Sequence, residues 1–257
     1  MTVRGILFDL EGVLYQEGEI IPGALEAIRA VAEKGIAMRF LTNTTTLPRS
    51  KIVARMQDMG FNLQPEQVFT PALAACQMLL DEGHRRLHLA APPGLKEDFA
   101  AFELVDENPD AVVMGDLHTD FTWPYLDDLF RMLLDDARLV ALHKNRFCRR
   151  GEQLALDLGP FVAALEYASG TQALVVGKPS EPFFSSAVKS MDLQPGEVVM
   201  IGDDIETDIG GALAVGLTAL QVKTGKYSPR DDAHPSIKAS GHLSSVAGLP
   251  RWLDENS

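Results

Sequence analysis

Residues 6–15 read Ile-Leu-Phe-Asp-Leu-Glu-Gly-Val-Leu-Tyr, an apolar run that leads into two carboxylates and a glycine. Such a run is typical of a strand buried on both faces of a parallel sheet, and Gly12 allows the chain to turn sharply after it. Asp9 and Glu11 are therefore expected at the carboxyl end of the strand, where open α/β sheets bind ligands. Side chains two residues apart on a strand point the same way, so Asp9 and Glu11 are expected to face one pocket while Leu10 faces away.

The elements that follow alternate between helices and strands. Apolar spacing and turn residues predict helices over 22–33, 48–59, 181–191 and 207–214, and strands over 37–41, 173–176, 197–201 and 218–222. A surface loop is expected over 228–241, before a terminal helix. This alternation predicts an α/β protein with a doubly wound, Rossmann-like parallel sheet and right-handed crossovers.

The middle of the chain carries a further set of alternating elements. Strands are predicted over 86–91, 111–114 and 139–142, and a helix over 125–134. About 100 residues suffice for a small domain. The predicted organisation is a core domain formed by residues 1–74 and 176–257, with an α/β cap domain, residues 75–175, inserted between its halves.

Charge and composition limit the partners of the chain, which has 257 residues and a formal net charge of −13. Such an acidic surface repels nucleic-acid phosphates and anionic lipids, and the sequence has no basic patch of useful size, so no nucleic-acid or membrane partner is expected. There is no apolar segment of about 18 residues and no charged leader with a cleavage site. The two cysteines form no spaced metal pair. These features predict a cytoplasmic protein.

Polar residues of a particular kind fall at predicted strand ends and helix starts. They form four motifs: Asp9-Leu10-Glu11, Thr42-Asn43, Lys178-Pro179, and Gly202-Asp203-Asp204 with Asp208. A carboxylate can attack phosphorus and form an aspartyl phosphate, which suits Asp9. Clustered carboxylates around a phosphate need a cation, and Mg²⁺ prefers oxygen ligands, so Asp9 and Asp203 are predicted to bind it. Thr42 and Asn43 would donate to phosphate oxygens, and Lys178 would stabilise the transferring group. Each motif alone is an ordinary turn or helix cap, but their joint order predicts phosphoryl transfer to a carboxylate.

This order of motifs resembles the haloacid dehalogenase superfamily of aspartate-nucleophile phosphatases over essentially the full length of the chain. The insertion after Thr42-Asn43 is similar to the type-IIA cap of that superfamily. More narrowly, residues 39–43, 71–77, 164–168 and 223–226 resemble a subgroup that includes a pyrophosphate phosphatase.

The resemblance implies a role for each matching position. Asp9 would be the nucleophile and a Mg²⁺ ligand, Glu11 would bind Mg²⁺ through its backbone carbonyl, and Asp203 would complete the protein ligands. Asp204 and Asp208 would position these ligand residues without binding Mg²⁺ themselves. The catalytic set is then Asp9, Glu11, Thr42 and Lys178, and the predicted substrate contacts are Leu10, Thr42, Asn43, Asn145 and Lys178. The resemblance also implies a small phosphorylated substrate and a homodimer formed through the cap.

Glu11 departs from the family pattern, because most relatives carry aspartate there and the pyrophosphatase carries serine. A carboxylate at this position protonates the leaving group, a contribution of about 10²–10⁴ in rate. Glu11 is longer by one methylene, and a misplacement of about 1 Å can cost about 10²-fold. We therefore predict a preference for phosphoanhydride or phosphoramidate bonds, whose leaving groups need the acid least.

Two alternatives stay open on the sequence alone. Residues 143–146, His-Lys-Asn-Arg, either contact a substrate held over Asp9 or form a solvated loop. The protein as a whole is either a phosphatase or a phosphate-ligand-binding or scaffolding protein with little turnover. A dehalogenase would need no metal, and a receiver domain has about half this length.

Overall fold

The computed structural model describes residues 2–150 and 153–256. Its strands, in chain order, are β1 (Gly5–Asp9), β2 (Tyr15–Gln16), β3 (Glu19–Ile20), β4 (Ala37–Leu41), β5 (Val68–Phe69), β6 (Arg86–Ala90), β7 (Glu103–Leu104), β8 (Ala111–Met114), β9 (Arg138–Ala141), β10 (Phe147–Arg150), β11 (Gln153–Leu156), β12 (Leu174–Val175), β13 (Val198–Gly202), β14 (Thr218–Val222) and β15 (Gly241–Leu243). Its helices are α1 (Ala24–Glu33), α2 (Arg49–Asp58), α3 (Pro71–Asp81), α4 (Trp123–Leu134), α5 (Leu158–Ser169), α6 (Glu181–Lys189), α7 (Gly211–Ala214) and α8 (Leu249–Asn256). A π-helical turn, Ile205–Gly210, runs directly into α7.

These elements form two compact units. The core unit comprises Met1–Thr42, Val53–Phe69 and Lys178–Ser257, and the inserted unit comprises Asn43–Ile52 and Thr70–Gly177. The domain limits expected from the sequence, 75 and 175, stay a prediction. The division seen here falls at 70 and 177 and also assigns residues 43–52 to the inserted unit.

The core unit is built on a parallel sheet with the strand order β15-β14-β13-β1-β4-β5. Every residue of the central strand β1 is buried, and the Phe8 ring stacks on Phe40 of β4 with 5.8 Å between the ring centroids. From β1 the chain proceeds to β4 and β5 on one side, whereas from β13 it proceeds to β14 and β15 on the other. The boundary between β1 and β13 is therefore the switch point at which such sheets bind ligands.

The core helices pack in pairs, α1 with α8 and α6 with α7. Helix α1 directs Ala24, Ala27, Ile28 and Val31 into the core, an i, i+3, i+4, i+7 spacing that forms one face of a helix. Right-handed crossovers that proceed in opposite directions from the switch point place their helices on opposite faces of the sheet. The predicted fold class, a doubly wound parallel α/β sheet, is confirmed.

The inserted unit has its own parallel sheet, with the order β12-β9-β8-β6-β7. One apolar cluster joins this sheet to α3 and to the rings of Phe99 and Phe102. A second cluster joins it to α4 and α5, where Leu129, Leu133 and Val162 are buried. Strands β10 and β11 pair as a separate antiparallel hairpin. The inserted unit is thus an α/β layer structure with apolar clusters of its own.

Some predicted elements need correction. The strand expected over 173–176 was assigned to the returning core, but β12 pairs with β9 in the sheet of the inserted unit. A short apolar run shows that a strand is buried and does not show which sheet it joins. The helix expected over 207–214 begins as a π-helical turn. The loop expected over 228–241 ends in β15, an edge strand beside β14 that the prediction missed.

Within residues 2–150 and 153–256, no helix combines the length and the apolar character that a membrane crossing requires.

Candidate active site

The switch point brings together four charged side chains from distant parts of the chain. Asp9 ends β1, Asp203 follows β13, Lys178 opens the last segment of the core unit, and Asp208 lies in the π-helical turn. All four residues are buried. Because these are all core-unit residues at the carboxyl edge of one sheet, the predicted proximity of Asp9, Lys178 and Asp203 is seen directly.

Lys178 links two of the carboxylates. Its Nζ donates a hydrogen bond to Asp9 Oδ1 and another, of 2.6 Å, to Asp208 Oδ1. Burial alone lowers the pKa of Lys178, but the charges of Asp208 and Asp9 outweigh it and hold that pKa above the ordinary value. Lys178 is therefore an ammonium ion in the folded protein, as its predicted role requires.

Asp208 is held by both of its oxygens. While Oδ1 accepts from Lys178, Oδ2 accepts from the backbone amides of Asp203 and Asp204, each at 3.2 Å. A carboxylate with one ammonium and two amide donors is well compensated for its burial. Asp208 thus fixes Lys178 and the start of the Asp203-Asp204 turn together.

Three carboxylates crowd this site. Oxygen atoms of Asp9, Asp203 and Asp208 lie within 4.8 Å of one another. Burial raises the pKa of Asp9 to about 6 against the opposing charge of Lys178, and burial together with the charge of Asp9 raises the pKa of Asp203. With one buried ammonium among them, the three carboxylates carry an excess of two negative charges when ionised. A buried, oxygen-rich, doubly negative set of this kind fits Mg²⁺.

Two glycine turns enclose the Asp203 carboxylate. Gly12 and Gly225 have φ angles of 87° and 62°, and a Cβ at either would lie 2.2 Å and 2.0 Å from Asp203 Oδ2. The same oxygen accepts a hydrogen bond of 2.6 Å from the amide of Lys226, and Thr224 Oγ1 donates to the carbonyl of Gly12. The backbone therefore approaches Asp203 more closely than any residue with a side chain would allow.

Asp204 stabilises the turn that carries Asp208. Its Oδ1 accepts from the amides of Glu206 and Thr207 at 3.0 Å each, in the manner of a helix N-cap, and its Oδ2 lies 3.2 Å from Lys226 Nζ. Burial raises the pKa of Asp204, but Lys226 and these amides outweigh it, so the pKa lies below the ordinary value. Asp204 is ionised and acts on the site through the backbone.

One contact to the site was missed by the sequence analysis. Gln221 on β14 is completely buried, and its Nε2 donates to the backbone carbonyl of Asp203 at 3.0 Å and to Asp231 Oδ2 at 2.9 Å. A single amide within an apolar strand gives no pattern from which this contact could be predicted.

Glu11 lies outside the carboxylate cluster. Its side chain is exposed, and Oε1 accepts a hydrogen bond of 2.9 Å from the amide of Glu17, at the turn between β2 and β3. Strand β1 ends at Asp9, so the two-residue alternation on which a shared pocket was expected does not continue to Glu11. The Leu10 side chain is fully buried, so a substrate contact at Leu10 would have to come from its backbone.

The other predicted substrate contacts belong to both units. Thr42 is buried at the end of β4 in the core unit, whereas Asn43 and Asn145 belong to the inserted unit. Within that unit the 143–146 loop is held by its neighbours. The amide of Asn145 donates to Nδ1 of the buried His143 at 3.4 Å, the amide of Gly159 donates to the Asn145 carbonyl at 2.9 Å, and Lys144 Nζ lies 2.5 Å from Glu166 Oε2. The loop is thus anchored to α5, and its role in substrate binding stays a prediction.

Comparison with known proteins assigns the chain to a family. A model for haloacid dehalogenase-like hydrolases matches residues 6–104, and a second model for HAD-hydrolase-like proteins matches residues 175–249. The chain is 39% identical over 251 residues to the human phospholysine phosphohistidine inorganic pyrophosphate phosphatase, covering 95% of this chain and 92% of that protein. The chain belongs to the haloacid dehalogenase-like hydrolases. Both the resemblance to this family and the narrower resemblance to its pyrophosphatase subgroup are confirmed.

Solved structures of this hydrolase family share the fold. A 4-nitrophenylphosphatase from Thermotoga maritima superposes with a TM-score of 0.90 at 26% identity and covers 97% of each chain. A glycerol phosphate phosphatase from Mycobacterium tuberculosis, solved in complex with magnesium, gives a TM-score of 0.84 at 26% identity and covers 96% of this chain and 76% of that one. This haloacid dehalogenase-like hydrolase is an enzyme of the phosphatase type, as predicted.

The close approach of the Gly225 backbone to Asp203 allows a test of the role of Asp203 in activity. Gly225→Ala would place a methyl group against Asp203 Oδ2, whereas a Cβ at Gly35, where φ is 69°, would have no atom within 4 Å. Both substitutions carry the left-handed backbone penalty of about 1–2 kcal/mol. We expect Gly225→Ala alone to lower p-nitrophenyl phosphate hydrolysis, by about 10²-fold, since a displacement of about 1 Å at a catalytic group has that effect. Equal activities of the two variants would contradict this account of Asp203.

The raised pKa of Asp9 predicts how stability depends on pH in the metal-free protein. The folded protein holds the Asp9 proton up to about pH 6, whereas the ordinary value is 3.8. Between these values the folded state binds more protons at Asp9 than the unfolded state, so the contribution of Asp9 to the free energy of unfolding falls as the pH rises from about 4 to about 6 and then levels off. The raised pKa of Asp203 adds a fall of the same sign. Urea unfolding in the presence of a chelator measures this fall.

Asp9→Asn is the control for this measurement. It removes the titrating carboxyl group, so its unfolding free energy should fall less over the same pH interval. An undiminished fall in the variant would assign the effect to other groups.

Proposed function

We propose that this enzyme is a Mg²⁺-dependent phosphatase that hydrolyses a small phosphorylated compound through an aspartyl phosphate on Asp9. The observation that carries the proposal is the Lys178 bridge between Asp9 and Asp208. Within this bridge the side chains of Lys178 and Asp208 are 3% and 1% exposed, whereas that of Asp9 is 10% exposed. Asp9 is thus the member that a substrate can reach, and the other two hold it in place.

The reaction proceeds in two displacements at phosphorus. In the first, a carboxylate oxygen of Asp9 forms a bond to phosphorus while the bond from phosphorus to the leaving group breaks, and its electron pair leaves with that group. In the second, water attacks the same phosphorus, the bond to Asp9 breaks, and phosphate and the free carboxylate result. Lys178 balances negative charge in both transition states, and Thr42 and Asn43 donate to the equatorial phosphate oxygens.

The predicted Mg²⁺ ligands are Asp9, Asp203 and the backbone carbonyl of Glu11. Since both oxygens of Asp208 already accept hydrogen bonds from Lys178 and from two amides, Asp208 supports the ligands and is not one itself. When bound, Mg²⁺ would offset the charge of the carboxylates and of the substrate phosphate. The magnesium complex of the Mycobacterium tuberculosis phosphatase supports this assignment by analogy.

The position of Glu11 supports a preference among substrates. A general acid has to lie within hydrogen-bonding distance of the leaving group. Oε1 of Glu11 instead accepts a hydrogen bond of 2.9 Å from the Glu17 amide, which holds the side chain at the turn between β2 and β3. Bonds whose leaving group departs without a proton from the enzyme are therefore favoured, namely phosphoanhydrides and phosphoramidates. The similarity to the human pyrophosphate phosphatase points the same way.

Two further inferences accompany this function. A cytoplasmic location and a homodimer formed through the inserted domain stay predictions, which cell fractionation and light scattering would test.

Asp9→Asn tests the nucleophile, because the amide keeps the shape of the side chain and lacks the attacking negative oxygen. Phosphate release from pyrophosphate and from p-nitrophenyl phosphate should fall by at least about 10³-fold, as for other removed nucleophiles. Wild-type activity should disappear with a chelator and return with Mg²⁺. The control is Asp254→Asn, an exposed aspartate on α8 paired with Lys34, which should retain wild-type rates. Phosphate binding without any wild-type turnover would instead favour the ligand-binding alternative.

Glu11 variants test the bond preference. Glu11→Gln keeps an oxygen that can accept from the Glu17 amide but has no proton to give, so its rate on pyrophosphate should stay within about 3-fold of wild type, well below the contribution of a general acid. Glu11→Asp shortens the side chain and releases it from that amide. It should selectively raise the rate on an alkyl ester such as glycerol 3-phosphate. A loss of about 10²-fold or more on pyrophosphate in Glu11→Gln would show that Glu11 is the acid for every substrate.

A further inference from the structure

The segment Lys223-Thr224-Gly225-Lys226 follows β14 and is fixed to the active site by its backbone and by Thr224. The amide of Lys226 donates to Asp203 Oδ2 at 2.6 Å, the amide of Gly225 donates to Gln16 Oε1 at 3.3 Å, and Thr224 Oγ1 donates to the Gly12 carbonyl. The position of the segment therefore does not depend on the side chain of Lys226.

The Lys226 side chain is exposed, and against the effect of burial the charges of Asp204 and Asp203 hold its pKa above the ordinary value. Its Nζ lies 3.2 Å from Asp204 Oδ2, and the side chain is 59% exposed. An exposed ion pair of this kind contributes little to stability. Asp204 also keeps its two hydrogen bonds from the amides of Glu206 and Thr207 when Lys226 moves. A substrate phosphate, which carries more than one negative charge, can compete with Asp204 for this exposed ammonium.

Lys226 lies beside the carboxylate cluster, because its backbone amide is 2.6 Å from Asp203 Oδ2 and oxygen atoms of Asp203 and Asp9 lie within 4.8 Å of one another. Its positive charge partly offsets the effect of burial on the pKa of Asp9 and of Asp203. Lys178 cannot serve a departing group in the same way, since it is 3% exposed and already donates to two carboxylates. Within the described core unit, Lys226 is thus an accessible cation beside Asp203 on a segment whose backbone is fixed.

We propose that Lys226 binds the phosphate that leaves when a phosphoanhydride is cleaved, and that it makes the enzyme selective for anhydrides over phosphoramidates. This inference rests on the proposed function and narrows its substrate class. As the Asp9 oxygen bonds to phosphorus, the bridging oxygen leaves with the electron pair on a phosphate anion, and the Lys226 ammonium keeps its protons and offsets the new charge.

The chemistry of the two leaving groups gives the selectivity. A leaving phosphate gains negative charge and benefits from a hydrogen bond donated by a cation. The amine that leaves a phosphoramidate is neutral or positively charged, so a nearby ammonium brings it no stabilisation. Because Glu11 is bound to the Glu17 amide, charge from Lys226 takes the place of a proton from an acid.

The kinetic test compares Lys226→Met with Lys226→Arg and with Lys223→Met. Lys223→Met is the matched control, because Lys223 is an exposed lysine of the same segment that lies 3.7 Å from Asp232. The measured quantity is the ratio of kcat/KM for pyrophosphate to kcat/KM for p-nitrophenyl phosphate, whose leaving group also needs no acid but carries no phosphate. Loss of a charge-assisted hydrogen bond predicts a fall of about 10- to 100-fold in this ratio for Lys226→Met. Lys226→Arg should restore most of the ratio, and Lys223→Met should leave it at the wild-type value.

An unchanged ratio in Lys226→Met, or an equal fall in Lys223→Met, overturns the proposal. A wild type that hydrolyses phosphoramidate faster than pyrophosphate also overturns it, although the proposed phosphatase function would stand. A wild type that hydrolyses none of these compounds contradicts the proposed function itself.

Binding provides a test that needs no turnover. Calorimetry on Asp9→Asn, with and without Lys226→Met, would compare methylenediphosphonate, which resembles pyrophosphate with an uncleavable bridge, with methylphosphonate. We expect Lys226→Met to weaken the diphosphonate by about 10-fold or more and the monophosphonate by less than about 3-fold. Equal weakening of both would place Lys226 at the transferred phosphate and overturn the proposal.

Discussion

The ammonium of Lys178, buried between the carboxylates of Asp9 and Asp208, is the interaction on which the site depends. Buried charges are tolerated only when they are paired and hydrogen-bonded, and removing one partner leaves the others without compensation. Here the interaction joins the end of β1, the first residue after the inserted unit and the π-helical turn. The charged centre therefore connects three segments of the core unit that are far apart in sequence, and the same contacts fix the Asp9 carboxylate, the proposed nucleophile.

Backbone geometry does much of the positioning around this centre. Asp208 and Asp203 accept backbone amides, Asp204 caps the π-helical turn through two more, and Gly12 and Gly225 bring the main chain against Asp203. Backbone groups lose little freedom when they bind, because the flanking strands already fix them. The exposed side chains near the site, those of Glu11 and Lys226, have fewer constraints, and differences in substrate preference can arise there without disturbing the charged centre.

The sequence predicts strands correctly in both units where its signals are local. The strands over 37–41, 111–114 and 218–222 have the predicted bounds, since short, mostly apolar runs between turn residues leave few alternatives. The proximity of Asp9, Lys178 and Asp203 was likewise predictable, because each follows a strand or opens a segment at one edge of the sheet. The Rossmann-like class follows from the same alternation.

Two helices, the sheet that one strand joins and two side-chain positions could not be predicted, because they depend on contacts between residues distant in sequence or lack a periodic pattern. Helices α3 and α5 are largely apolar on all sides, so periodicity did not reveal them. Thr70 and Pro71 nevertheless mark the start of α3, and Asp157 and Gly170 mark the start and the end of α5. Strand β12 pairs with β9, more than 30 positions earlier, and no local pattern indicates that partner. The displacement of Glu11 follows from the end of β1 at Asp9, and the contact of Gln221 with Asp203 is set by strand order.

The pairing of β1 with β13 also governs how the chain can fold. Gly5 lies opposite Val198, so the central pair of the sheet joins residues almost two hundred positions apart. Contacts of such long sequence separation form slowly, because closing the intervening loop costs entropy before the strands gain anything by pairing. During synthesis from the N-terminus, the complete inserted unit leaves the ribosome before β13 does. One edge of β1 can pair with β4 early, but the edge that β13 covers stays open until late in synthesis. An unpaired edge of an apolar strand is prone to aggregation, and here that edge belongs to the segment that ends at Asp9.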